Sequence, residues 1–123
     1  MNPPLFVYGT LHPDRAPDVV KDVVRRMIPI GRGTIPGNLH DLGEYPALTL
    51  DGRKKQLVQG SIFALPDDPE ILEELDRYEG YLPDDPVNSL FVRSRRLVTL
   101  EDGPRRFCWV YVYNQELPSN LTG

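Results

Sequence analysis

Proline and glycine punctuate this chain more densely than any other feature of its sequence. Thirteen prolines and ten glycines fall within 123 residues. Proline fixes φ and removes a backbone donor, and glycine ends regular elements, so both break a chain into short pieces. Their sum, 23 of 123 residues or about 19%, lies below the roughly 25–30% at which low complexity becomes the expectation. The rest of the composition points the other way. Apolar residues make up 40%, charged residues 26%, and the formal net charge is only -4. A chain of this length buries roughly two-thirds of its unfolded surface, enough for one core. The prolines therefore read as punctuation within one domain, residues 1–123, with a core over about 5–113 and a short tail from 114.

The bulk numbers exclude several classes. A lone cysteine, Cys108, forms no internal disulfide, and neither a stapled secreted scaffold nor a cysteine-rich zinc site fits. No apolar run reaches the roughly 18 residues of a membrane span. The start, Met-Asn-Pro-Pro, has neither the basic residues nor the apolar stretch of a signal peptide. The mildly acidic balance offers no bulk attraction to nucleic acid. A cytoplasmic protein with no nucleic-acid or membrane partner is the expectation; oligomeric state is left open.

Along the chain, Leu5–Tyr8 is a short apolar run ended by Gly9-Thr10, which reads as a buried strand. Pro17 and Asp18 suit the first turn of a helix over about 16–26. Residues 28–50 are interrupted by Gly31, Gly33, Gly37 and Gly43 and read as bulged strands. Asp51-Gly52 between Leu48–Leu50 and Gln56–Val58 is a hairpin signal, and the second strand continues to Leu65. Asp67-Asp68-Pro69 starts a second helix that runs to about Tyr78, with Gly80 as its stop. Pro83 and Pro86 hold the loop after it. Phe91–Leu100 and Arg105–Tyr113 flank Glu101-Asp102-Gly103, a second hairpin. The sum is a small α+β domain with largely antiparallel strands and two helices.

The second helix carries the most information. At about 100° per residue, Ile71, Leu72, Leu75 and Tyr78 form one apolar face. Glu70, Glu73, Glu74 and Arg77 fall away from it, and Asp76 lies at its margin. Glu79 projects inside the apolar stripe, between Leu75 and Leu72. Burial disfavours an ionised carboxylate, and the negative end of the helix dipole disfavours it again. Both effects raise the pKa of Glu79 and suit it to proton transfer near neutrality. The competing reading is a frayed last turn with Glu79 in water.

Other candidates are weaker. The run Phe6-Val7-Tyr8-Gly9-Thr10-Leu11 delivers an aromatic, a glycine and a hydroxyl to a strand end, where backbone N–H groups can hold an anion. It lacks the glycines and lysine of a phosphate loop. Cys108 reads as core. His12 and His40 are too far apart in sequence for a local metal pair, and no metal site is expected. Asp76 reads as a surface or capping charge. Arg93 reads as a carboxylate ligand or as half of a structural ion pair. Tyr45 and Tyr111 are the aromatics placed at a pocket, against the general expectation that strand aromatics are core.

Taken in order, these segments resemble the gamma-glutamylcyclotransferase-like superfamily, nearest its gamma-glutamylamine cyclotransferase type. FVYGTL at 6–11 is similar to the family's substrate loop. Gly37–Leu48 resembles its stretch ending in Tyr-Pro-Ala, and Val58–Tyr81 the segment ending in its catalytic glutamate. Phe91-Val92-Arg93 and Trp109–Tyr113 resemble its last strands. The resemblance spans about residues 5–113. His12 and His40 depart from it, standing where Lys or Arg, and Tyr, are common. The resemblance implies a small barrel-like α+β fold with a cavity and no cofactor. It implies Glu79 as catalytic acid/base and Tyr8, Gly9, Thr10 and Leu11 along the substrate pocket. The implied reaction turns a gamma-glutamyl amine, amino acid or peptide into 5-oxoproline and a free amine. The alternative is a non-catalytic module that binds a small amino-acid-like ligand on the same fold.

Overall fold

A computed structural model describes residues 3–8, 18, 21–43, 45–50 and 56–117. Its elements in chain order are β1 (Leu5–Val7), α1 (Lys21–Arg25), β2 (Ile28–Asp41), β3 (Pro46–Thr49), β4 (Gln56–Ala64), α2 (Pro69–Glu79), β5 (Phe91–Leu100) and β6 (Arg105–Tyr113). A 3-10 turn at Pro86–Asn88 interrupts the loop between α2 and β5.

Five strands close into a barrel in the order β2, β4, β1, β6, β5, and β5 returns to β2 through Gly33 against Leu100 and Thr34 against Thr99. The β1–β6 pair is parallel, with Leu5 opposite Trp109, and the other pairs are antiparallel. The architecture is the barrel-like, largely antiparallel α+β fold expected. Closure demands a close approach at Gly33, where a Cβ would lie 2.6 Å from the Thr99 carbonyl oxygen. Only glycine lets the two backbones meet there. β2 is bulged between Pro29 and Gly31, as its glycines and prolines lead one to expect.

One expected hairpin is not formed. β3 and β4 each pair with β2 and not with one another: Asn38–Asp41 take β3, and Ile28–Gly37 take β4. Both partners run antiparallel to β2, so they share a direction, whereas a tight hairpin joins strands of opposite direction. Asp51-Gly52 lies outside the described residues. The second expected hairpin is present, β5 against β6 from Phe91–Tyr113 to Thr99–Arg105. The described part of the first helix, Lys21–Arg25, covers the C-terminal side of the range expected for it; Pro17 lies outside the described residues.

Strand alternation sorts the core into two layers. Phe6, Ile35, Val58, Ile62, Val98, Cys108 and Val110 fill the barrel. Leu5, Val7, Phe63, Phe91 and Tyr111 face outward from the same strands and meet Val23, Val24 and Met27 of the α1 segment and Ile71 and Leu75 of α2. No helix among the described residues is long and apolar enough to cross a membrane.

Candidate active site

The last turn of α2 is held at both ends of the helix. Asp68 caps the start by accepting the Glu70 N–H at 3.0 Å, and Pro69 occupies the first turn. Gly80 ends it in the left-handed region, φ 72°, donating to Arg77 O while Tyr81 donates to Asp76 O at 2.8 Å. The helix therefore continues through Glu79, and the last turn is not frayed. Ile71 and Leu75 are buried, and Leu72 and Tyr78 pack against the same cluster, as the wheel requires.

Glu79 faces a cavity of about 190 Å³. Val7 and Tyr8 from the end of β1, Tyr45 just before β3 and Pro46 at its start, and Phe91 at the start of β5 supply much of its wall. Phe6, Tyr78 and Tyr111 add to the aromatic lining. Phe91 is edge-on to both Tyr45 and Tyr113, at 5.7 and 5.4 Å between centroids. Glu79 is the one acidic side chain among the described lining residues. No hydrogen bond or ion pair joins its carboxyl to a described residue, and burial pushes its pKa up to about 7. A carboxyl at that value holds both protonation states near neutral pH and can take a proton in one step and return it in the next.

Two tyrosine hydroxyls of the cavity wall, those of Tyr8 and Tyr111, have partners within the protein. Tyr8 donates to the Tyr111 carbonyl oxygen. Burial raises its pKa far above the ordinary phenol value, the Glu79 charge raises it further, and a hydrogen bond with the Leu48 backbone opposes them. Tyr111 donates to Asp76 Oδ1 at 2.7 Å. Its pKa is raised by burial first and then by Asp76 and Glu79, with Arg93 opposing. Both phenols are therefore neutral donors whose rings wall the cavity.

Asp76 corrects the sequence reading. It is not a surface or capping charge but a buried carboxylate, 5% exposed. Arg93 grips it in a fork, Nε to Oδ1 at 2.8 Å and Nη2 to Oδ2 at 3.2 Å. Of the two readings of Arg93, the ion pair is the one formed. Its guanidinium also lies 4.3 Å from the Trp109 ring centroid and 5.7 Å from that of Tyr81. The signal was present in the wheel, where Asp76 sat at the apolar margin three residues before Glu79.

The remaining sequence candidates fall elsewhere. Cys108 is fully buried inside the barrel and burial pushes its thiol up to about 11, so it is a core residue. His40 pairs through Nε2 with Thr49 Oγ1 at 3.0 Å across β2 and β3. Gly9, Thr10, Leu11 and His12 lie outside the described residues.

The profile of the family described as gamma-glutamyl cyclotransferase, AIG2-like, matches residues 5–122. The chain belongs to that family. Among solved structures, this family member is similar to an AIG2-like protein from Mus musculus, with 26% identity and a TM-score of 0.72. That likeness covers 94% of this chain and 80% of the mouse protein. YkqA from Bacillus subtilis shares the fold at 18% identity and TM-score 0.68 over 93% of this chain, but the chain spans only 36% of YkqA. An uncharacterised protein from Pyrococcus horikoshii shares it at 13% identity and TM-score 0.60, covering 98% of this chain and 86% of that one. No curated protein matches the sequence.

Proposed function

We propose that this chain is a gamma-glutamyl cyclotransferase in which Glu79 is the general acid/base. The observation that carries the reading is a carboxyl on the wall of an aromatic cavity, the one acid among its described lining residues and without a described ion-pair partner, pushed by burial up to about 7. The substrate is a gamma-glutamyl amine, amino acid or peptide, and the reaction is an intramolecular aminolysis. The substrate α-ammonium first loses a proton to Glu79. The freed amine attacks the γ-carbonyl carbon, closing the five-membered ring through a new C–N bond. The tetrahedral intermediate then expels the leaving nitrogen, which takes the proton back from Glu79, while the second proton of the ring nitrogen passes through the same carboxylate to the released amine. The products are 5-oxoproline and the free amine, and the carboxyl returns to its starting state.

Nucleophile and electrophile belong to one substrate molecule, so orientation supplies much of the rate. In this reading Tyr8, Tyr45 and Tyr111 shape the cavity around a folded gamma-glutamyl chain, with the two engaged hydroxyls fixing the rings. Backbone N–H groups of Gly9, Thr10 and Leu11 hold the substrate α-carboxylate or the developing oxyanion. The test is 5-oxoproline release from a panel of gamma-glutamyl compounds, with Glu79→Gln alongside. Release by the unaltered protein and not by the variant is expected. No release from any compound, or equal release by the variant, overturns the reading.

A further inference from the structure

Two carboxylates lie three residues apart on one side of α2, and they have opposite surroundings. Side chains at this spacing are neighbours on a helix, about 5–6 Å apart at Cβ. Asp76 has a guanidinium and a phenol; Glu79 has neither a hydrogen bond nor an ion pair with a described residue. Asp76 accepts the Tyr111 hydroxyl at 2.7 Å, and Glu79 lines the cavity together with the Tyr111 ring. Arg93 is the only Arg or Lys among the described residues that is not exposed. It forks onto the carboxylate three residues before Glu79, and a fork of this kind pairs equally well with either carboxylate.

We infer that Asp76 is a positioning residue for the acid/base: by holding the Nε and Nη2 face of Arg93, it keeps the half-buried guanidinium behind Tyr111 from turning to Glu79. The arrangement explains why a chain would bury a second acid and an arginine one turn from the reacting carboxyl. A lone arginine here would capture Glu79, hold it ionised and remove its ability to donate a proton. A site with neither charge would lose the anchor that β5 and β6 supply to the last turn of α2. Asp76 satisfies Arg93 while Trp109 and Tyr81 hold the guanidinium plane from the side. Among the described residues, the titratable groups around Glu79 are then Tyr8 from the end of β1, Tyr45 before β3, Tyr78 on its own helix, and Tyr111 with Asp76 and Arg93 behind it. The inference rests on the acid/base reading of Glu79 for its catalytic consequence.

The experiment titrates the Glu79 carboxyl by 13C NMR, with the pH profile of 5-oxoproline release measured beside it. Three proteins are compared: the unaltered chain, Asp76→Asn, and Asp76→Asn with Arg93→Met. In Asp76→Asn the released guanidinium turns to Glu79, and its titration midpoint drops by about one to three pH units. The acidic limb of the activity profile moves down by the same amount. In the double variant both charges are gone and the midpoint returns toward 7, with recovery of activity at neutral pH. An anchor without this electrostatic role would lower stability in Asp76→Asn but leave the Glu79 midpoint in place, and removing Arg93 would relieve nothing. An unmoved or raised midpoint in Asp76→Asn therefore overturns the inference, as does a midpoint that stays low in the double variant. Should Asp76→Asn not fold, Asp76→Asn with Arg93→Lys takes its place: the cation is kept without its partner, so the midpoint should again fall, and an unmoved midpoint overturns the inference. The titration needs no turnover. A midpoint that moves as expected in a protein releasing no 5-oxoproline would refute the cyclotransferase reading and support the role of Asp76.

Discussion

The inside of the barrel and the layer between its wall and the helices are built from alternate residues of the same strands, yet they carry different chemistry. On β6, Cys108 and Val110 point inward while Trp109 and Tyr111 point to the helices. The interior is aliphatic apart from Phe6 and the inert thiol of Cys108. The outer layer holds the Asp76–Arg93 pair and Glu79, and the aromatic cavity reaches from it to Phe6 and Tyr8 of the barrel cluster. A closed barrel interior has its backbone paired in the wall and leaves room for little but packing. The outer layer receives side chains from a helix, and a helix end can bring a carboxyl to the sheet surface at a defined angle. In this protein both layers carry apolar core, and the paired and unpaired carboxyls of the site gather on the helix side.

That division can be broken by experiment. The largest effect is expected from Glu79→Gln, which removes the proton carrier: 5-oxoproline release should fall by about 10²–10⁴-fold without loss of folding. Next come paired truncations, Ile62→Ala inside the barrel and Leu75→Ala on α2, both fully buried. Each should cost about 2–5 kcal/mol in denaturant unfolding. If the layers differ as argued, only Leu75→Ala should also depress turnover in the folded fraction, since it undermines the helix that carries Glu79.

The pH dependence of stability follows from Glu79 with a definite sign. Below its ordinary value of 4.5 the carboxyl is protonated in both the folded and the unfolded chain, so burying it costs nothing extra. Between 4.5 and about 7 the unfolded chain releases the proton and the folded protein does not. Stability should therefore decline over that window, by up to about 3 kcal/mol, and level off above it. Thermal unfolding across the window should show the decline in the unaltered protein and lose that component in Glu79→Gln. The smallest of these effects concerns the seam of the barrel. Gly33→Ala places a Cβ against the Thr99 carbonyl oxygen and the Val98 and Ile62 side chains. It should cost about 1–3 kcal/mol and leave the Glu79 titration unchanged.

Much of α2 was legible residue by residue. Its capping aspartate, its proline, its glycine stop and its apolar stripe are local signals, and they bring Glu79 onto the buried face without reference to the rest of the chain. The β5–β6 hairpin was legible for the same reason, since two strands and their turn lie within one stretch of sequence. The partners of β3 and β4 were not. Asp-Gly marks a turn wherever it occurs, but which strands then pair depends on β2, whose ladder passes from β4 to β3 between Gly37 and Asn38.

The sequence by itself determined the short, punctuated elements, the α+β class and a carboxyl on the wrong face of a helix. Only the tertiary structure decided what that carboxyl would meet. Asp76 and Glu79 look alike on the wheel, two acids near one apolar stripe. They diverge because Arg93 and Tyr111, 17 and 35 residues further along the chain, arrive on β5 and β6 at one of them and not the other. A pKa is set by burial and by neighbouring charge, and neighbours that distant in sequence are chosen by the closing of the barrel.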